Sequence, residues 1–348
     1  MDLAELLKSL SEASGVSGYE TMPADLIAER WLPMADEVRK DALGNVIAFK
    51  KGKGHGKLLL AAHIDEIGLM VKKIDDNGFI RFATVGGFDF RTLVAQEVTV
   101  HGREKLRGVI GAKPPHLQSP SEQKKAYEKD EFYIDVGLKK EKVEELVRVG
   151  DIITINREVQ KLSGNRYAGK SFDDRACVVM LTACLERLTE VHHNLDVYLV
   201  ATVQEEVGTR GAAVSAYSVN PDLAIAVDVC HGEFPGVRAD RGFGLGKGPV
   251  ISMGPDTHPK ILEKLKEVAD EAKIPYQLEA STSARGTDAW SIQIARNGIA
   301  CALVSLPLRY MHTSVETLDL ADIKEGGRLL AEFALKADRE FVEGLPCF

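Results

Sequence analysis

Six residues carry side chains that could work together in hydrolysis: His63, Asp173, Glu205, Glu206, Asp228 and His312, with Asp65 two places after His63. Five of the six stand where an apolar run stops. KLLLAAHID delivers His63 and then Asp65; DVYLVATVQEEVG delivers Glu205 and Glu206; LAIAVDVC delivers Asp228; IACALVSLP leads to His312 in LPLRYMHTS. Asp173 stands beside Asp174 at a turn into a helix, in SFDDRACVV. A lone acid at a strand end is an ordinary surface residue. Four strands and a turn doing this together point to a site, because ligands of open α/β sheets bind beyond the carboxyl ends of the strands.

Two imidazoles with several carboxylates suit a divalent metal such as zinc, cobalt or manganese. Crowded carboxylates repel one another and their pKa values rise, so two cations are expected to cancel the charge. The counts then assign His63 and Asp228 to one metal, Glu206 and His312 to the other, and Asp173 between them. Glu205 is left free to act as general base on a water that the metals acidify.

The elements that must position these residues follow from the hydrophobic pattern. LGNVIAFKKGKGHGKLLLAAHID reads as strand, turn, strand. Residues 69–162 change character into short strand-like pieces (GLMVKKI, GFIRFATVGG, EVTVHG, LRGVIGAKPP, EFYIDVGL, DIITINREVQ), as in a β-barrel or sandwich. Within them, residues 113–132 are polar and Pro-bearing and read as a loop. From residue 163 strands alternate with helices again, down to a last helix in DIKEGGRLLAEFALKA. The expected architecture is an α/β domain with a mixed sheet, formed by residues 1–68 and 163–348, interrupted by a β-rich insertion at 69–162.

Composition excludes several classes. The formal net charge is −8, which gives no basic face for nucleic acid. No apolar run reaches membrane-spanning length. The N-terminal stretch reads as an amphipathic helix and not as a signal peptide. The five scattered cysteines have no CxxC spacing and read as reduced core residues, which places the protein in the cytoplasm. His101, His116, His192, His193 and His231 read as surface or loop residues. Lys247, in LGKGP, is either a substrate contact or part of a glycine-flanked turn; it does not belong to a P-loop, whose spacing is absent.

The chain resembles the tetrahedral-type metalloaminopeptidases, which include glutamyl and deblocking aminopeptidases and proteins labelled endoglucanase. The resemblance rests on GVSGYE, AHIDEIGLMV, SFDDRACV, VQEEVGTRGA, AVDV, LGKGPVI, RGTDA and RYMHTSVE, which span nearly the whole chain in order. It implies the same two-metal ligand set, with Glu205 as base and Asp65 orienting His63 through a hydrogen bond. It implies a cis peptide between Asp173 and Asp174. It also implies that the β-rich insertion is a dimerisation domain and that dimers build hollow tetrahedral dodecamers. Arg285 stands where the family often has glycine, and is weighed as a substrate contact or a plain surface residue.

The expected activity is therefore release of N-terminal amino acids from peptides. An N-acyl amidohydrolase would use the same site without needing a free amine. A glycoside hydrolase needs two carboxylates and no metal, and leaves the histidines unexplained.

Overall fold

The computed structural model describes residues 2–282 and 286–345. It opens with two helices, α1 (Leu3–Glu12) and α2 (Thr21–Trp31). Asp2 starts the first by accepting from the backbone N–H groups of Ala4 and Glu5 at 2.9 and 3.3 Å. Strands β1 (Glu37–Lys40), β2 (Val46–Lys50) and β3 (Lys57–His63) follow. The chain then builds β4 (Gly68–Ile74), β5 (Ile80–Val85), β6 (Glu97–His101), β7 (Lys105–Gly111), β8 (Tyr133–Asp135) and β9 (Ile152–Ile155), with a short helix α3 (Lys140–Leu146) before the last.

These six strands close on themselves in the order β4-β5-β8-β7-β6-β9. Closure removes the exposed edges that short strands would otherwise leave. The barrel has its own core, with Leu69, Phe82, Val98, Ile110, Phe132 and Ile134 buried inside. All six strand-like pieces of the sequence are its strands. Residues 113–132 form short 3-10 turns between β7 and β8.

After the barrel come β10 (Gln160–Lys161), β11 (Arg166–Gly169), the long helix α4 (Phe172–Glu190) and β12 (Asp196–Thr202). Helix α5 (Arg210–Val219) leads to β13 (Leu223–His231). Then follow β14 (Val250–Met253), α6 (Pro259–Ala272), β15 (Gln277–Ala280), α7 (Asp288–Gln293), β16 (Ala300–Leu308), β17 (Glu316–Asp319), α8 (Leu320–Lys336) and α9 (Arg339–Glu343). The expected last helix is thus followed by one more short one.

The main sheet has eight strands in the order β1-β2-β12-β3-β13-β16-β14-β15. Strands β2 and β3 do not pair with each other. Instead β12 enters between them, antiparallel to β2 and parallel to β3. The four central strands β12, β3, β13 and β16 all run parallel. Their near-continuous apolar sequences follow from this, since both faces are covered. One face packs against α4, α6 and α8, with Val227, Val304 and Leu306 buried there. The other, with Ala226 and Leu303, packs against α5 and α7.

Helices α4 and α8 approach closely because α8 carries Gly326 and Gly327. A Cβ on Gly327 would lie 2.7 Å from Ala183 Cβ and 2.9 Å from the Met180 carbonyl oxygen, contacts that backbone cannot yield cheaply. Gly327→Ala is therefore expected to destabilise the fold by about 1–3 kcal/mol, despite alanine's better helix propensity. A melting temperature at or above wild type would show that the two helices can separate without loss.

Candidate metal centre

Because β12, β3, β13 and β16 are parallel, their carboxyl ends share one edge. Thr202 lies opposite His63, and Asp228 lies opposite Ser305, in register. That edge therefore receives His63 from β3, Glu205 and Glu206 from just beyond β12, Asp228 from β13 and His312 from beyond β16. Asp173 arrives from the first turn of α4, where Asp173 and Asp174 leave helical geometry and the peptide between them is cis. All six side chains line one cavity of about 330 Å³.

Asp173 is central. Its Oδ1 lies 3.2 Å from His63 Nε2 and its Oδ2 lies 3.2 Å from His312 Nε2. His312 Nε2 is also 3.1 Å from Glu206 Oε1. Neighbouring ligands on one ion with bonds of about 2.1 Å stand at such separations. Two three-donor groups are close enough to hold an ion, His63 with Asp173 and Glu206, and His63 with Asp174 and Asp228. The second brings in Asp174, which the sequence reading left outside the ligand set. Its Oδ2 accepts from the His63 backbone N–H at 3.1 Å, while its Oδ1 is buried with no hydrogen-bond partner.

The electrostatics ask for positive charge. Burial, reinforced by Asp228, Asp288 and Glu206, pushes Glu205 up to about 10 against the opposing pull of His63. Burial and Asp173 push Asp228 up to about 8. Burial raises Asp174 well above its ordinary value too, with Asp228 adding to it. Burial disfavours charge on His312, yet Asp173 and Glu206 outweigh it and lift the imidazole to about 11. These groups must keep protons or share cations. The hard and borderline donors, their spacing and the orphaned Asp174 oxygen all fit divalent ions.

Other residues hold this set in place. Asp65 is fully buried. Its Oδ1 lies 3.4 Å from His63 Nδ1 and accepts from the Glu205 N–H at 3.0 Å. Its Oδ2 accepts from Ser17 Oγ at 2.6 Å and from the Glu206 N–H at 3.1 Å. Asp65 thus fixes the imidazole, whose Nδ1 also lies 3.2 Å from the Asp65 carbonyl oxygen, and its carboxylate fixes the backbone of the paired glutamates. Glu316 does the same on the far side, accepting from the N–H groups of Phe172 and Asp173 at 2.7 and 3.2 Å and of His312 at 2.9 Å. Sequence reasoning missed this role, although Glu316 closes the RYMHTSVE stretch that carries His312. Glu316→Ala is expected to weaken metal affinity about 10–100-fold, with activity recovering at high metal concentration. A metal titration of the variant that overlays wild type would remove Glu316 from the support of the site.

A profile of the M42 glutamyl aminopeptidase family matches residues 44–329. The chain belongs to that family. M42 enzymes are metal-dependent aminopeptidases, so this M42 chain is a hydrolase of the exopeptidase class. It is 41% identical to a lysyl aminopeptidase of Pyrococcus furiosus over 324 residues, which cover 92% of this chain and 93% of that one. An aminopeptidase from Desulfurococcus kamchatkensis superposes with a TM-score of 0.93 at 42% identity, covering 99% and 98% of the two chains. The TET1 peptidase of Pyrococcus horikoshii, described as assembling into a tetrahedron or a large octahedral shell, gives 0.85 at 32% identity, covering 96% and 100%.

Lys247 is exposed on a turn whose Gly246 and Gly248 N–H groups, both at 2.7 Å, are held by Asp322. It is not among the residues lining the cavity. Arg285 falls outside the described residues. His231, read as a loop residue, lies along the cavity wall. His193, read the same way, is buried, because its ring is fixed 2.7 Å from the Leu195 carbonyl oxygen.

Proposed function

We propose that this M42 enzyme releases N-terminal amino acids from peptides at a centre of two divalent ions, zinc, cobalt or manganese. The observation that carries this reading is Asp173, which offers one carboxylate oxygen to each imidazole. His63 and Asp228 would hold one ion and Glu206 and His312 the other, with Asp173 bridging and Asp174 beside the first. Bound there, the ions would polarise the scissile carbonyl and acidify the attacking water. Glu205 is the general base: its Oε2 takes the water's proton and passes it to the leaving amine. Asp65 keeps Glu205 at its post by holding its backbone and that of Glu206. The one further acid among the described lining residues, Glu279, favours a substrate that presents a free ammonium group.

The test is release of single amino acids from free-amine peptides and their N-acetylated twins, by chelated enzyme and after return of each metal. Metal-restored cleavage of the free peptides alone is expected. Equal cleavage of the acetylated twins would replace this reading with an amidohydrolase.

We also propose that residues 69–162 form a dimerisation domain set into the catalytic domain of 1–68 and 163–348, and that dimers assemble further into a dodecamer. The closed barrel and the assembly of the P. horikoshii relative support this. Light scattering is expected to give twelve times the 38.0 kDa chain mass; a stable monomer would refute it. A cytoplasmic location is supported by Cys177, Cys184 and Cys301, all buried and unbridged. Among the described residues no helix is long and apolar enough to cross a membrane.

A further inference from the structure

A second cavity meets the candidate metal centre from the barrel side. Ile67, Phe88, Thr92, Leu93, Gln96 and Ile155 line it, and it shares Asp173, Glu206 and His312 with the larger cavity. Four of those six side chains are apolar, and the remaining lining, Glu66, Lys170, Ser171, Thr313, Ser314 and Glu316, is polar. Its free volume is about 20 Å³, against about 330 Å³ for the other. The two cavities therefore flank the same three residues, one wide, the other narrow with an apolar wall built from Ile67, Phe88, Leu93 and Ile155.

The roof of the narrow cavity is the connection that follows β5. There Gly86 adopts φ 79°, a conformation that favours glycine. A Cβ on Gly86 would lie 2.6 Å from Ile67 Cγ2 and 3.4 Å from Glu206 Oε2; on Gly87 it would lie 3.5 Å from His312 Nδ1. Gly86 has no room for a Cβ beside Ile67, and the Gly86–Gly87 backbone passes within van der Waals reach of Glu206 and His312. The floor carries charge, but the charge is spent. Glu66 Oε2 receives Lys170 Nζ and Ser171 Oγ, each at 2.5 Å, and Glu66 Oε1 faces Arg175 at 3.4 Å. A side chain that enters against Ile67, Phe88, Leu93 and Ile155 meets apolar surface, where a charged group would lose its water without an ion partner.

An exopeptidase places one peptide bond at its centre, so the residues on either side of that bond fall on either side of Asp173, Glu206 and His312. The residue with the free ammonium group belongs in the acid-lined cavity beside Glu205 and Asp228. We propose that the narrow cavity is the subsite for the side chain that follows the scissile bond, and that it selects small aliphatic side chains there. The barrel thereby sets specificity as well as packing against the catalytic sheet. This rests on the aminopeptidase reading above.

The experiment uses the full-length, metal-loaded enzyme. Peptides share the N-terminal residue released best, and their second residue is varied among Ala, Val, Leu, Trp and Glu. Ala and Val are expected to exceed Trp and Glu by tenfold or more in kcat/KM. Phe88→Ala should shrink the penalty on Leu and Trp about fivefold, and Thr92→Leu should enlarge the penalty on Val and Leu by a similar factor. The order of preference for the first residue, with Ala held second, should stay as in wild type in both variants. A flat second-residue profile, a profile that neither variant moves, or variants that change both orders together would overturn the subsite. Failure to release any first residue from any free-amine peptide would overturn the aminopeptidase reading and the subsite with it.

Discussion

Glu205→Gln is expected to keep its full complement of metal while kcat falls by about 10²–10⁴-fold. Glutamine preserves the size of the side chain and one carbonyl oxygen, but it cannot hold a proton at neutral pH. Glu205 belongs to neither of the two close donor groups, and its Oε2 stands back at 3.9 Å from His63 Nε2. Its position does not depend on its own carboxylate, because the N–H of Glu205 is held by Asp65 and Gln204 before it turns the chain at φ 58°. The substitution therefore removes proton transfer and little else. A thousandfold loss corresponds to about 4 kcal/mol of transition-state stabilisation. The two measurements are metal per chain, by elemental analysis, and kcat at saturating metal. Loss of metal would make Glu205 a ligand, and retention of more than a tenth of wild-type kcat would leave it without a catalytic task.

The same two glutamates show how much of this site is legible in a sequence. Apolar runs that end in acids or histidines mark strand ends, and the parallel order of β12, β3, β13 and β16 brings those ends to one edge. Residues whose side chains do the chemistry therefore stand out by type and place. The barrel is legible for a similar reason, since each of its strands is short, alternating and closed by a turn residue. What the sequence hides is support. Glu316 works through backbone N–H groups of Asp173 and His312, one of them far away in the chain, and no local pattern announces such a contact. Asp174 reads as the ordinary neighbour of a ligand, and only the geometry at the start of α4 turns its carboxylate toward His63 and Asp228. The neighbour relations of the sheet are hidden too: β2 and β3 are joined by a short turn, yet β12 separates them. The glycines at 86 and 87 look like turn residues, and their closeness to His312 and Glu206 appears only in three dimensions.

Asp173→Ala is expected to lose both metal ions, which separates a bridging carboxylate from a terminal one. The two oxygens of Asp173 stand 3.2 Å from two different imidazoles, so deletion strips one donor from each position at once. His312→Ala, by contrast, removes a donor from one position only and should retain about half the metal. Without cations the centre is crowded with buried carboxylates, and burial together with Asp173 itself raises both Glu206 and Glu316, the latter to about 8. Asp173 is nevertheless the partner of both imidazoles, which hold its carboxyl below the ordinary range, so its removal costs both contacts and the metal-free variant should melt lower than metal-free wild type. Added metal should then raise the melting temperature of wild type but not of the variant, because an ion that binds only the folded state at a thousand times its Kd contributes about 4 kcal/mol. Elemental analysis and paired melting curves in chelator and in metal read both effects. One ion retained per chain would make Asp173 a ligand of a single metal, and two retained would refute the bridge.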